Sequence, residues 1–124
     1  MQITTKTIVE STESINQLLA IKLPATISYK LVLFVKRLEP IIEGYNKVRG
    51  EKVIEYGTVV VDDEGKDTDQ YKFSPENATK FSDELNALLA TENELNVPEI
   101  NIKDLGELAI EPKYLMNLGW LIKE

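Results

Sequence analysis

The densest cluster of groups able to do chemistry in this chain is acidic. Asp62, Asp63, Glu64, Asp67 and Asp69 crowd around Gly65, and oxygen ligands in such number suit a hard cation such as calcium. The register argues against that use. With Gly65 at the sixth position of a helix–loop–helix calcium site, the first ligand would be Val60, which has no side-chain oxygen. The stretch from Asp62 to Asp69 reads instead as a solvated turn, whose charges keep the edge of a hairpin from pairing with another chain. No metal site is expected.

Other reactive chemistries are scarcer still. The chain has no cysteine and no histidine, which removes thiolate nucleophiles, disulfides, Cys/His zinc sites and the imidazole behind most general acid–base steps. Paired carboxylates could do glycosidase-type work, but one of the two must sit across a cleft with its proton affinity raised by burial. Glu39, Glu43 and Glu84 fall on the flanks of a heptad pattern, where acids face water, and Glu39 and Glu43 repel each other at i,i+4. The glycines Gly44, Gly50, Gly57, Gly65, Gly106 and Gly119 are scattered singly and match neither phosphate-binding fingerprint. A non-enzyme without catalytic residues or a cofactor is therefore expected.

Charge and hydropathy narrow the partners. Fourteen Lys+Arg stand against 21 Asp+Glu, a formal charge of −7. Only Arg37 and Arg49 carry the guanidinium fork suited to phosphates. Such a surface repels nucleic acid and either favours basic partners or simply keeps the protein in solution. The longest strongly apolar stretch, Leu31 to Val35, is far short of the roughly 20 residues that span a bilayer. Residues Met1 to Lys6 hold one lysine and no apolar core of a secretory signal. No nucleic acid and no membrane is expected, and the cytoplasm is the simplest location.

The elements that must position these groups follow from spacing. In 124 residues with 43% apolar and 28% charged side chains, one domain spanning residues 1–124 is the natural expectation. Ile8, Ile15, Leu18, Leu19 and Ile21 recur at helical spacing between Thr7 and Leu23, and Pro24 ends that helix. Ile27, Leu31, Phe34, Leu38, Ile41, Tyr45 and Val48 then alternate steps of four and three, a heptad seam about 33 Å long at 1.5 Å per residue. Pro40 predicts either a bend or two separate helices, Gly50 a frayed stretch, and Gly57 a left-handed cap.

The β-branched run Thr58–Val61 and Tyr71-Lys72-Phe73 predict a β-hairpin with a polar tip. Ser74-Pro75-Glu76 opens a second long helix on Ala78, Phe81, Leu85 and Leu88, reaching to about Asn93. Two extended pieces around Pro98, read as a second small hairpin, include Leu108 and Ile110. A last helix, Lys113 to Ile122, has Leu115, Leu118 and Ile122 on one face and Trp120 off it.

Five tyrosines and one tryptophan remain, residue types enriched at protein interfaces. Tyr45 lies on the seam and is assigned to the core. Tyr56, Tyr71 and Phe73 lie where the long helical pair meets the hairpin, and core packing and an exposed patch are both open there. Together with Trp120 they are the candidate partner-binding residues.

The run Leu23-Pro24-Ala25-Thr26-Ile27-Ser28-Tyr29-Lys30-Leu31, the acidic Asp-Glu-Gly turn, the Tyr71-Lys72-Phe73 step, and the tail Ile110-Glu111-Pro112-Lys113-Tyr114-Leu115 with Trp120-Leu121-Ile122 resemble a family of small proteins encoded by phages of Gram-positive bacteria. The similarity covers nearly the whole chain. It implies a viral origin, and so the host cytoplasm, but brings no activity to particular residues.

The expected fold is α+β and mainly α. Two long antiparallel helices form a coiled-coil-like hairpin, a β-hairpin sits at its tip, and short N- and C-terminal helices close its base. A two-helix stalk buries little apolar surface alone, so part of its seam is expected to pair with a partner or a second subunit, as in a homo-oligomer. The expected function is that of a phage accessory protein acting by protein–protein contact, binding and inhibiting a host defence or replication factor. The alternative is a structural or assembly component of the phage particle. A small-ligand binder or enzyme would need a deep pocket with convergent polar groups. DNA mimicry would need carboxylates in duplex-like rows.

Overall fold

The computed structural model describes residues 1–105 and 112–123. The described chain is mainly helical, with three long helices and small two-stranded sheets. In order it runs β1 (Gln2–Thr4), α1 (Thr5–Ala20), α2 (Ala25–Tyr56), β2 (Thr58–Val61), β3 (Asp67–Lys72), α3 (Pro75–Leu89), β4 (Glu92–Glu94), β5 (Ile100–Asn101), a 3-10 turn (Ile102–Leu105), α4 (Pro112–Met116) and β6 (Ile122–Lys123).

The core forms where α1 lies against the first half of α2. Ile8, Ile15 and Leu18 of α1 are buried with Ile27, Leu31, Phe34 and Leu38 of α2, and Ile3, Leu95, Ile100, Leu118 and Leu121 close over them. Each fully buried aliphatic or aromatic side chain of this kind contributes roughly 1.5–3 kcal/mol. The inner face of α1 also buries Thr5, Ser11 and Ser14, which must find hydrogen-bond partners. Ser11 Oγ lies 2.6 Å from the Thr7 carbonyl and 3.0 Å from that of Asn117, and accepts from Trp120 Nε1 at 2.9 Å. Thr5 Oγ1 donates to the Thr91 carbonyl at 3.2 Å and accepts from Asn93 Nδ2 at 3.1 Å. Among the described residues no buried side-chain polar atom is left without a partner.

Away from this base the burial thins. On α2 the seam residues Ile27, Leu31, Phe34 and Leu38 are buried, whereas Ile41, Tyr45 and Val48 are only half-buried. Helix α3 packs back along this second half of α2: Asn77 Nδ2 donates to the Tyr56 carbonyl at 3.1 Å, and Lys52 reaches Glu84 at 3.1 Å. Phe81, Leu85 and Leu88 of α3 are half-buried, Ala78 is exposed, and the helix buries none of its side chains completely.

Several expectations are met at the helix ends. Ser74 Oγ accepts from the Asn77 N–H at 3.2 Å, with Pro75 in the first turn of α3. Others are corrected. Helix α2 is one element through Pro40 and Gly50, so Pro40 does not divide it into two helices and Gly50 does not fray it. Pro40 sits on the exposed face, where a carbonyl deprived of its donor can turn to water. Gly57 is extended, at φ −93° and ψ 159°, because the chain passes straight into β2. What singles out this glycine is proximity: a Cβ there would lie 2.5 Å from the Val53 carbonyl and 3.2 Å from Tyr71 Cβ.

Helix α3 stops at Leu89, short of Asn93, because residues 92–94 are drawn into a sheet. β4 pairs antiparallel with β1, Ile3 opposite Asn93, and β5 pairs parallel with β6, so the described strands on either side of Pro98 pair with the two ends of the chain and not with each other. Leu108 and Ile110 lie outside the described residues. The last helix is short: α4 ends at Met116, and turns carry the chain to Leu121. Those turns place both Leu118 and Leu121 in the core while Trp120 Nε1 reaches Ser11.

The two ends of α2 should therefore respond differently to truncation. Phe34→Ala is expected to cost about 3–5 kcal/mol in urea unfolding, as for a fully buried aromatic, and Phe81→Ala less than half of that. Equal losses would mean that both ends are packed alike.

Candidate functional site

The aromatic residues singled out by sequence fall at two separate places. Tyr56, Tyr71 and Phe73 meet where α2 ends, the β2–β3 hairpin turns and α3 begins. Trp120 packs against Phe34 at the base. Between Phe34 and Tyr56 helix α2 rises about 33 Å.

At the far end, the elements order the cluster through the backbone. Val59 pairs with Tyr71 across the hairpin, which sets the Tyr71 ring against Gly57. Phe73 leaves the hairpin and packs on Phe81 of α3, with ring centroids 5.0 Å apart. The Tyr56 carbonyl accepts from Asn77, tying the end of α2 to the first turn of α3. Tyr56, Tyr71 and Phe73 are all half-buried, so each spends part of its surface on this junction and leaves part to solvent. Ile54, near the end of α2, and Val61, at the end of β2, are largely exposed. Sequence reading passed over both, although Ile54 stands off the heptad seam and Val61 closes a β-branched run at the edge of the acidic turn.

The acidic tip is an ordered turn. Asp62 Oδ1 accepts from the N–H groups of Glu64 and Lys66, both at 2.9 Å, and Gly65 adopts φ +80°, a left-handed conformation that glycine takes at little cost. The β3 strand starts at Asp67, so Asp67 and Asp69 belong to the strand and not to the loop. A register shift between Val59 and Val61 adjusts the pairing, and Thr68 Oγ1 donates to the Val60 carbonyl at 2.6 Å. Among the described residues no three acidic side chains converge on a point that could hold a metal ion.

One ionic clip fastens the junction. Lys52 Nζ lies 2.8 Å from Glu55 and 3.1 Å from Glu84, and 5.9 Å from the centre of the Tyr56 ring. Hydrogen bonds to Glu55 and then Glu84 hold the Lys52 ammonium above the ordinary lysine range. Partial burial, followed by the Glu84 carboxylate, raises the Tyr56 phenol. Both shifts favour the protonated form in the folded protein. Their stabilising contributions are thus complete below the ordinary range, about pH 10, and are lost as pH climbs through the raised values.

At the base, Trp120 is held from two sides. Its ring lies 5.7 Å from that of Phe34, and its Nε1 donates to Ser11 and to the Asn117 carbonyl. What remains of its surface lines an open groove of about 420 Å³ with Leu95, Val97, Pro98 and Lys123. Trp120 is thus partly a core residue, a role its position in sequence did not disclose. No helix among the described residues is long and apolar enough to cross a membrane.

The clip makes a testable statement about pH. Limited proteolysis across residues 57–73 should stay slow through neutral pH and accelerate above about pH 10. Lys52→Met should speed cleavage at neutral pH and flatten the alkaline rise. An unchanged profile would show that the clip does not hold the junction. Comparison with known protein families, curated proteins and solved structures finds no match for this chain.

Proposed function

We propose that this chain is a small accessory protein of a phage of a Gram-positive bacterium that acts in the host cytoplasm by binding a host protein, inhibiting a defence or replication factor. The resemblance of its sequence to small phage-encoded proteins supports the origin. The observation that carries the contact reading is the half-covered seam at the far end. Phe81, Leu85 and Leu88 of α3 and Tyr45 and Val48 of α2 all stay half-buried.

Isolated helices of about 15 residues are marginal in water without an apolar face to bury. In this reading α2 and α3 work as a coiled-coil-like hairpin whose seam and tip complete their burial on a partner. Tyr56, Tyr71 and Phe73 supply aromatic contact, and Ile54 of α2 and Val61 of β2 add exposed apolar surface at the same end of the molecule. A second copy of the chain covers part of the same seam in the free protein, giving a homo-oligomer.

Affinity purification of the tagged chain during infection, followed by mass spectrometry, tests the proposal. One host protein in stoichiometric amount is expected, and it should be lost with the double variant Ile54→Asp/Val61→Asp. Light scattering of the free chain should give a mass above the 14.0 kDa of one copy. Co-purification with virions and no host partner would contradict the proposal and identify a structural or assembly component of the particle.

A further inference from the structure

The first half of α2 is apolar on both faces. Its inner face carries the buried Ile27, Leu31, Phe34 and Leu38. At about 100° per residue, Tyr29, Val32, Leu33 and Lys36 project from the opposite side, and the first three are 66%, 43% and 39% exposed. Their spacing of three and four makes a continuous ridge, the pattern of a helix face that expects to be covered.

The charge around this ridge is the reverse of the rest of the protein. From Ser14 to Leu38 there is no Asp or Glu, while Lys22, Lys30, Lys36 and Arg37 supply four cations. The remaining residues hold all 21 acids against the other ten cations. Lys22, Lys30 and Lys36 are exposed and have no ion-pair partner among the described residues. Arg37 donates to the Asn96 carbonyl and keeps its charge uncompensated at the edge of the ridge.

We infer that the outward face of α2 between Ala25 and Leu38 docks an acidic amphipathic helix of a partner protein. Tyr29, Val32 and Leu33 take its apolar stripe, and Lys30, Lys36 and Arg37 pair with its flanking carboxylates. Three observations select this occupant. A ridge of i, i+3 and i+4 side chains packs well into the grooves of another helix. A second copy meeting this face by its own would set cations against cations with no acid between them. A phosphate backbone would answer the cations but leave Val32 and Leu33 against solvent, and the acidic remainder of the chain would repel it. The inference rests on the reading that the protein acts by contact, and assigns it a second surface, apart from the tip.

The test is fluorescence anisotropy of the full chain with a labelled synthetic helix bearing leucines on one face and glutamates on its flanks. Its lysine-flanked counterpart, anionic vesicles and a DNA duplex serve as competing probes. The acidic helix is expected to bind, and to weaken with added salt as screening requires. Tyr29→Ser/Leu33→Ser and, separately, Lys36→Glu/Arg37→Glu should each weaken it about tenfold or more, as expected for central contacts. All four side chains are exposed, and an unchanged melting temperature shows that the variants fold. Ile54→Asp should bind the helix normally. No binding, equal binding of the lysine-flanked helix, preference for vesicles or duplex, or self-association lost with the same variants would overturn the inference. If these variants leave a host partner bound while Ile54→Asp/Val61→Asp releases it, the contact reading stands and the α2 docking face falls.

Discussion

Leu31, Phe34 and Leu38, buried against Ile8, Ile15 and Leu18 of α1, form the contact on which everything else is mounted. Without it α2 would be a long amphipathic helix with nothing to hold its first half. With it, the first half becomes a fixed base from which the second half projects. The contact also demands small hydroxyl residues on α1, because Ser11 sits where Trp120 and Asn117 must dock. A larger apolar residue there would deprive the Trp120 N–H of one acceptor and push the tail away from the core.

The consequence is a gradient of burial along one helix. At the base the seam residues are fully covered, and the tail adds Leu118 and Leu121 above them. Towards Tyr56 the same periodic seam runs along α3, and among the described residues its coverage falls to half. The hairpin, the Gly57 approach and the Lys52 clip hold the far end in place by specific local contacts rather than by a second core. Elements held in this way are the ones that open most readily, and they are where a partner's surface would add most.

Much of this was legible in the sequence because it is local. The three-and-four rhythm located α2, Ser74-Pro75 marked the start of α3, and Thr58–Val61 announced the hairpin. What stayed hidden depends on contacts between distant residues. Nothing near Asn93 signals that it pairs with Ile3, and nothing in Trp120 reports that its N–H donates a hydrogen bond to Ser11. The tail breaks its helix after Met116 because burying Leu118 and Leu121 together outweighs continuing a turn whose propensity alone is weak. The left-handed cap expected at Gly57 failed for a similar reason: the direction in which the chain must leave sets the conformation, and the glycine is needed for clearance. At the candidate site, Tyr56, Tyr71 and Phe73 all fall at the junction of α2, the hairpin and α3, whereas Trp120 lies against Phe34 at the base, since sequence order says little about where a tail returns.

Hydrogen exchange of the free chain, read by mass spectrometry, tests most directly the claim that one end is a closed core and the other an open surface. Amides of α1 and of residues 25–38 should exchange slowest and together, with α3 and the hairpin exchanging orders of magnitude faster. Uniform protection along α2 and α3 at a dilution where light scattering gives the mass of one copy would show that the chain closes its own seam, and the case for a partner or a second copy at the far end would be lost.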